Sequence, residues 1–264
     1  MRKFKILAKN GFKTAIAYRA HFFVGLIRVP ITLLIYYYLW RSIFGYAGAE
    51  VIKGYTFADM LSYYAVSMIV GIIAYCDVDE WISGDIRAGL VVADFLRPVS
   101  YIWNLFSVFF GLRVFAFFVE ALPALFIAVF FIHTSLPSLI NSAMFIVSVA
   151  LAYLLNYLMS FCLGLAAFWF NEVHGLIKAK NALMAFLEGS LIPLAFFPLF
   201  FQGISQFLPF QYLRFIPVNI FLQKYSLAEA LALLGIQAVW LVLFYFIAQF
   251  TFKKAFKKFA GAGV

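Results

Sequence analysis

Apolar residues fall in six long stretches, at roughly residues 22–44, 56–76, 107–132, 139–164, 182–200 and 231–251. Crossing hydrocarbon takes about 20 residues of helix, so each stretch is of spanning length. The pattern predicts an all-α membrane protein with six transmembrane helices. An even number of spans places both termini on one side. Arg2, Lys3, Lys5, Lys9, Lys13 and Arg19 lie at the N-terminus and Lys253, Lys254, Lys257 and Lys258 at the C-terminus. Basic flanks stay inside, which puts both ends in the cytoplasm. The short connection His133–Ser138 has no Lys or Arg and falls outside, whereas Lys178 and Lys180 fall inside.

Ahead of the first span, residues 1–20 read as an amphipathic interfacial helix. At about 100° per residue, Phe4, Leu7, Ala8, Gly11, Phe12 and Ala15 share a face opposite Arg2, Lys9, Asn10 and Lys13. Such a helix lies over anionic lipid or packs on the end of the bundle. A second departure from apolarity is residues 77–98, which hold Asp77, Asp79, Glu80, Asp85 and Asp94, five of the eleven carboxylates in the chain. That acidic segment cannot sit in hydrocarbon and is expected at the cytoplasmic surface, with Arg87 and Arg97 as its only basic residues. A third is the stretch between the last two spans. It is too apolar for a free loop, yet it is broken by Pro193, Pro198, Pro209 and Pro217. We read residues 193–217 as a re-entrant segment capping the extracytoplasmic side, since irregular backbone at membrane depth needs protein around it.

Composition agrees with the pattern. The 264 residues are 66% hydrophobic and 12% charged, against about a quarter charged in soluble domains. No linker or internal repeat divides the chain, so residues 1–264 form one membrane domain. The net charge of +9 is concentrated at the two ends, as juxtamembrane anchors are, and implies contact with membrane lipid and not with nucleic acid. Cys76 and Cys162 read as packing residues and not as a disulfide or a metal site. Aromatic residues make up 21% of the chain, and Tyr36, Tyr37, Tyr38 and Trp40 read as an interfacial belt.

Candidate chemistry is sparse. GxxxxGK[ST], HExxH, GxSxG and Cys/His zinc spacings are all lacking from the sequence, so no catalytic residue, metal ligand or cofactor is assigned to this chain. Four ionisable residues lie within or beside apolar spans: Arg28, Arg113, Glu120 and Glu188. Each is costly unpaired, by about 2.5–3.5 kcal/mol on insertion scales. Arg28 with Glu120 is one candidate pair. A coupled-ion site is the alternative, and it is disfavoured because the carboxylates lie on separate spans.

Several short runs resemble ABC-2 type permeases: Gly84-Asp85-Ile86-Arg87-Ala88-Gly89, Phe95-Leu96-Arg97-Pro98, Gly189-Ser190-Leu191-Ile192-Pro193, Phe197-Pro198 and Leu208-Pro209-Phe210. The likeness extends over nearly the whole chain, and most resembles bacterial exporter subunits of this length. It implies a non-catalytic membrane subunit of the inner membrane that pairs with a second permease chain. A distinct neighbour is preferred to a second copy, because related permeases often come in adjacent pairs. It also implies docking to a separate cytoplasmic ATPase that binds the ATP and magnesium. By the same resemblance, residues 77–98 are the coupling segment, with Asp79, Asp85, Arg87, Asp94 and Arg97 contacting the ATPase, and Pro193, Pro198 and Pro209 belong to the extracytoplasmic cap. Glu188 departs from the family pattern, in which a small or apolar residue is expected. An ion-coupled secondary transporter is the competing function. It requires broken helices in both halves, and only the second half has one.

Overall fold

The computed structural model describes residues 2–17, 19–92, 100–170 and 172–261. Asp94, Arg97 and Pro98 lie outside the described residues. Helices α1 (Arg2–Ala17) and α2 (Arg19–Ala47) come first, followed by a hairpin of β1 (Val51–Ile52) and β2 (Tyr55–Thr56). Then follow α3 (Phe57–Ala74), α4 (Val78–Arg87), α5 (Tyr101–Ala116), a π-turn (Phe117–Ala121), α6 (Leu122–Phe130) and α7 (Leu139–Leu165). The last part contains α8 (His174–Leu187), α9 (Leu199–Gln206), α10 (Phe215–Phe221) and α11 (Leu227–Gly261), with single 3-10 turns at Leu194–Phe196 and Phe210–Leu213.

Among the described residues, four helical stretches are long and apolar enough to cross a membrane: Phe57–Arg87, Tyr101–Phe130, Leu139–Phe168 and Leu227–Lys258. They match the second, third, fourth and sixth predicted spans. The first corresponds to α2, a helix of 29 residues with Pro30 inside it. The fifth does not form a continuous span. Helix α8 has 14 residues, about 21 Å at 1.5 Å per residue, short of the roughly 30 Å hydrocarbon core. It ends where Gly189 takes φ +77°, and Pro193 and Pro198 then each start a new short helix. Proline is pre-set for a first turn and cannot continue the preceding helix.

Helix α3 is the axis of the bundle. Met60, Tyr63, Tyr64 and Val70 are fully buried there, against Val29, Leu33 and Trp40 of α2, Ala124 and Ala128 of α6, and Val218 and Phe221 of α10. Tyr36 stacks on Tyr64 with centroids 3.5 Å apart, and Trp40 meets Phe196 edge-on. The belt expected at Tyr36–Trp40 is therefore split. Tyr38 faces outward at 65% exposure, while Trp40 is core. A second cluster joins α4, α5, α7 and α11 through Ile82, Ile102, Tyr157, Phe161 and Ala255. Helix α11 packs along α7 and leaves most of its apolar surface outward, with Gln237 as its buried polar anchor. The Gln237 amide donates to the Ser148 and Tyr212 carbonyls at 2.9 Å each.

Close helix contacts are made at glycines. Helix α1 crosses α5 so tightly that a side chain at Gly11 would strike the Val108 carbonyl and one at Gly111 the Ala8 carbonyl. Phe4 packs on Phe106 and Phe110, and Phe12 on Phe115. The apolar face of α1 is thus spent on protein, where the sequence offered lipid as an alternative. The hairpin is an addition to the expected all-α fold. Its turn has Lys53 at φ 51° and Gly54 at φ 82°, the left-handed pair that two-residue hairpins favour. The Lys224 ammonium ties it down by donating to the Gly54 carbonyl at 3.1 Å and to Asp59 at 2.8 Å. The Tyr55 hydroxyl donates to Asn219 at 2.6 Å, and burial pushes that phenol up to about 12 even though the Asn219 contact acts the other way.

Helix α4 seats on α7 over Gly164, where an added Cβ would lie 2.9 Å from both the Asp79 Cα and the Ile82 Cβ. Gly164→Leu should cost about 1–3 kcal/mol by overpacking and loosen α4. Hydrogen–deuterium exchange of the purified protein checks this. Faster exchange confined to Val78–Arg87 is expected, and wild-type protection there would refute the packing.

Candidate functional site

Two features of the described structure carry polar chemistry: the short helix α4 at one end of the bundle, and a charged interior between α3, α7, α8 and the segment leading into α10.

Helix α4 is amphipathic in the packed sense. Val78, Asp79, Ile82 and Ser83 are buried, while Glu80, Trp81, Arg87, Ala88, Gly89 and Leu90 are exposed. Gly89 at φ +70° reverses the chain after it, with the Leu90 amide donating to the Asp85 carbonyl at 2.9 Å. Asp79, expected on the docking surface, faces inward instead. It is 1% exposed and ion-paired to Lys180 of α8 at 2.5 Å. The Lys180 ammonium also donates to the Ser160 hydroxyl at 3.0 Å. A carboxylate buried this deep requires such a partner. Arg87 is exposed, and Asp85 is partly buried.

The end of α3 and the end of α8 both expose carbonyls inside the bundle, and side chains from neighbouring helices satisfy them. Asn156 of α7 donates to the Ala74 carbonyl at 2.7 Å, Arg113 of α5 to the Ile72 carbonyl at 3.3 Å, and Ser160 to the Cys76 carbonyl at 3.4 Å. The Arg113 guanidinium also sits 5.1 Å from the Tyr75 ring centroid. On the other side, the Tyr63 hydroxyl donates to the Gly189 carbonyl at 2.7 Å and Tyr64 to that of Leu191 at 2.9 Å. Gly189 is needed for its backbone and for this approach, since a Cβ would lie 3.0 Å from the Tyr63 hydroxyl.

Glu188, the residue that departs from the family pattern, is buried and paired to Arg214 at 3.1 Å. Arg214 lies flat on Gly71 of α3, where an added Cβ would be 2.8–2.9 Å from three guanidinium atoms. Two cavities meet at this arginine. One, of about 250 Å³, is lined by Asn156, Lys180, Asn181 and Glu188. The other, of about 340 Å³, is lined by Arg28, Thr32, Tyr36, Tyr64 and Ser67. Gly71, Tyr75 and Arg214 belong to both. A separate, almost wholly apolar groove of about 650 Å³ runs between α3, α5 and α7, with Arg113 on its wall.

The expected pair of Arg28 with Glu120 is not formed. Arg28 is exposed on α2, and among the described residues no ion pair joins the two. Glu120 is instead buried against Gly25, where a Cβ would lie 2.6 Å from its Oε2. It sits in the π-turn that precedes Pro123. Proline at that position cannot donate to the Val119 carbonyl and would collide with it in a regular helix, so the wider turn relieves the clash.

With this geometry in view, the chain was compared with known proteins. Residues 20–263 match the family model of the ABC-2 family transporter proteins. The chain belongs to the ABC-2 transporter family. No curated protein and no solved structure matches it. The family is the membrane component of ABC transporters, so this ABC-2 protein is a membrane permease, and such subunits work with ABC ATPases.

Lys180 and Arg214 were not singled out in the sequence. Lys180 reads as an ordinary inside-loop lysine, and Arg214 lies within an apolar run. Their usable signal was Asp79 and Glu188, two acids that each needed a cation. Pro193, Pro198 and Pro209 all start short helices. Pro193 and Pro209 are buried and Pro198 is exposed.

Removing one member of a buried pair costs about 3–5 kcal/mol, because it strands the other charge. Arg214→Met should therefore sharply lower the melting temperature in detergent, while Arg214→Met with Glu188→Leu should recover most of the loss. Equal destabilisation by the single and the double variant would show that the pair is not coupled.

Proposed function

We propose that this ABC-2 protein is the membrane-spanning permease subunit of an ATP-driven exporter in the cytoplasmic membrane, with both termini cytoplasmic. It forms the translocation path with a second permease chain and takes its energy from a separate ATPase that binds ATP and magnesium. The single observation that carries this reading is the family match over residues 20–263.

The shape of α4 supports it as the coupling helix. It is ten residues long and locked on one face by Ile82 over Gly164 and by the Asp79–Lys180 pair. It is open on the other face at Trp81 and Arg87, with Leu90 exposed in the turn beyond it. A rigid helix with a half-exposed tryptophan and an arginine is what a protein groove can grip, those being residue types that carry binding energy. In this reading Arg87 and Trp81 contact the ATPase, and Asp79 holds the helix to the bundle. Asp85, Asp94 and Arg97 remain proposed contacts. The short helices from Pro193 to Pro217 serve as the extracytoplasmic cap. Helix α9 offers Leu199 and Phe200 outward, with Phe207 exposed just beyond it, whereas α10 is buried from Ile216 to Phe221. Transport by an ion-coupled carrier is the weaker reading, since Asp79 and Glu188 each already hold a cation.

Affinity purification of tagged protein, expressed with its native gene neighbours in mild detergent, tests the assignment. A stoichiometric ATPase with a Walker A motif should co-elute. Arg87→Glu combined with Trp81→Ala should reduce that association by about tenfold or more with a smaller fall in melting temperature than Asp79→Asn, since Trp81 meets Phe109 only edge-on whereas Asp79→Asn strands Lys180. Undiminished association of the Arg87/Trp81 variant would reject α4 as the docking helix.

A further inference from the structure

We propose that the two cavities meeting at Arg214 form a binding site for a monoanionic amphiphile, whose anionic group lies between Arg28 and Arg214. The site deepens the permease reading by naming a cargo class, and it rests on that reading.

Charge decides the ligand. Among the described lining residues the charged groups are Arg28, Arg214, Lys180 and Glu188. Lys180 is neutralised by Asp79 and Arg214 by Glu188. Arg28 lines the second cavity and joins no ion pair among the described residues. The charged residues lining the two cavities, taken with Asp79, therefore carry one positive charge in excess. Donors are in excess too: the Arg214 Nε is buried and without a hydrogen-bond partner. A buried charged donor left open is costly unless a ligand or water completes it. Arg214 cannot simply swing away, because its guanidinium is bounded by Gly71 on one face and held by Glu188 at 3.1 Å. It is a fixed cation on the wall shared by the two cavities, and the exposed Arg28 lines the second of them from α2.

The remaining walls fit the rest of an amphiphile. Val29, Met68, Ile72 and Leu191 are apolar, and the stacked Tyr36 and Tyr64 rings give a flat face at 3.5 Å spacing. Thr32 and Ser67 add hydroxyls beside the arginines. An uncharged apolar molecule would leave the Arg28 charge unmet. A dianion would leave one negative charge uncompensated. One anionic group on a hydrophobic body satisfies both cations at once. A lipid headgroup and a free hydrophobic acid share that chemistry.

The test uses the full-length protein in nanodiscs of zwitterionic phosphatidylcholine. The probe is 1-anilinonaphthalene-8-sulfonate, with its uncharged analogue N-phenyl-1-naphthylamine as control. Saturable binding of the sulfonate over protein-free discs is expected. It should weaken about tenfold in Arg28→Gln, as loss of one charge-assisted contact implies, and be largely restored in Arg28→Lys, while the uncharged analogue is unaffected by either change. Gly71→Ala, which pushes on the Arg214 guanidinium, should weaken sulfonate binding as well, with the Arg28 variants serving if that protein proves unstable. Repeating the titration in phosphatidylglycerol discs separates the sources. Competition by the lipid assigns the site to an anionic headgroup, and undiminished sulfonate binding assigns it to a free amphiphile. Equal affinity for the two dyes, or no response to Arg28→Gln, overturns the proposal. Neither result depends on a co-eluting ATPase, so an anion site without an ATPase would refute the exporter and keep the site, and an ATPase without an anion site the reverse.

Discussion

A helix that ends inside a bundle leaves carbonyls that its own next turn cannot satisfy, and the rest of this structure depends on how two such ends are satisfied. Helix α3 stops at Ala74 and α8 at Leu187. Each unmet carbonyl would cost several kcal/mol in such surroundings. At the first end the donors are Arg113, Asn156 and Ser160. At the second they are Tyr63, Tyr64 and the Phe215 amide, which donates to the Glu188 carbonyl at 3.0 Å. Because these donors come from α3, α5, α7 and the start of α10, the two breaks fix the relative positions of those helices. Tyr63 and Tyr64 lie in the most buried part of α3 for the same reason. Their rings fill the core, and their hydroxyls close the backbone of a segment more than a hundred residues away in the chain.

The charged pairs add register to this frame. Asp79–Lys180 and Glu188–Arg214 both draw on α8, eight residues apart, which is about 12 Å along the helix. Helix α8 is thereby a strut with α4 fastened at its middle and the approach to α10 at its C-terminal end. Buried ion pairs add little net stability over apolar replacements but strongly penalise any arrangement that separates them. A displacement of α4 that keeps Asp79 on Lys180 must therefore move α8, and a movement of α8 that keeps Glu188 on Arg214 must move Arg214 against Gly71. Side-chain pairs that are poor as glue are well suited to keeping parts in step.

Much of the fold was legible because hydrocarbon imposes a simple rule on sequence. Among the described residues, four of the six apolar stretches are helices long and apolar enough to span, and the acidic segment and the proline-rich stretch are the two places where the regular pattern fails. What the pattern could not show was direction. An acid in a polar segment reads as exposed, yet Asp79 lies one turn from Ile82 on the face that Gly164 admits to α7, so it turns inward and takes Lys180. The fifth stretch is apolar throughout. Its break depends on the left-handed Gly189 and the distant hydroxyls that accept the interruption, and composition does not record these. Tyr36 and Trp40 have the makeup of a belt, but rotation of α2 about its axis sends them to α3 while Tyr38 faces out. The hairpin was missed because its strands are two residues each, held by Lys224 from the far end of the chain.

Cation placement in the interior follows from the same economy of partners. Of the acids at the two polar cavities, Glu188 on the wall and Asp79 behind Lys180 are each paired with one base. Among the charged residues that line the two polar cavities the surplus is then a single arginine, Arg28, on a helix whose neighbouring Ile27 and Ile31 face outward. A lone arginine at such a place is costly to keep in hydrocarbon. Substituting Arg28 by an apolar residue would remove that cost without stranding any partner identified among the described residues, in contrast to Lys180 or Arg214. Stability therefore gives no reason for its presence, and the cavity that it shares with a fixed, incompletely bonded Arg214 does.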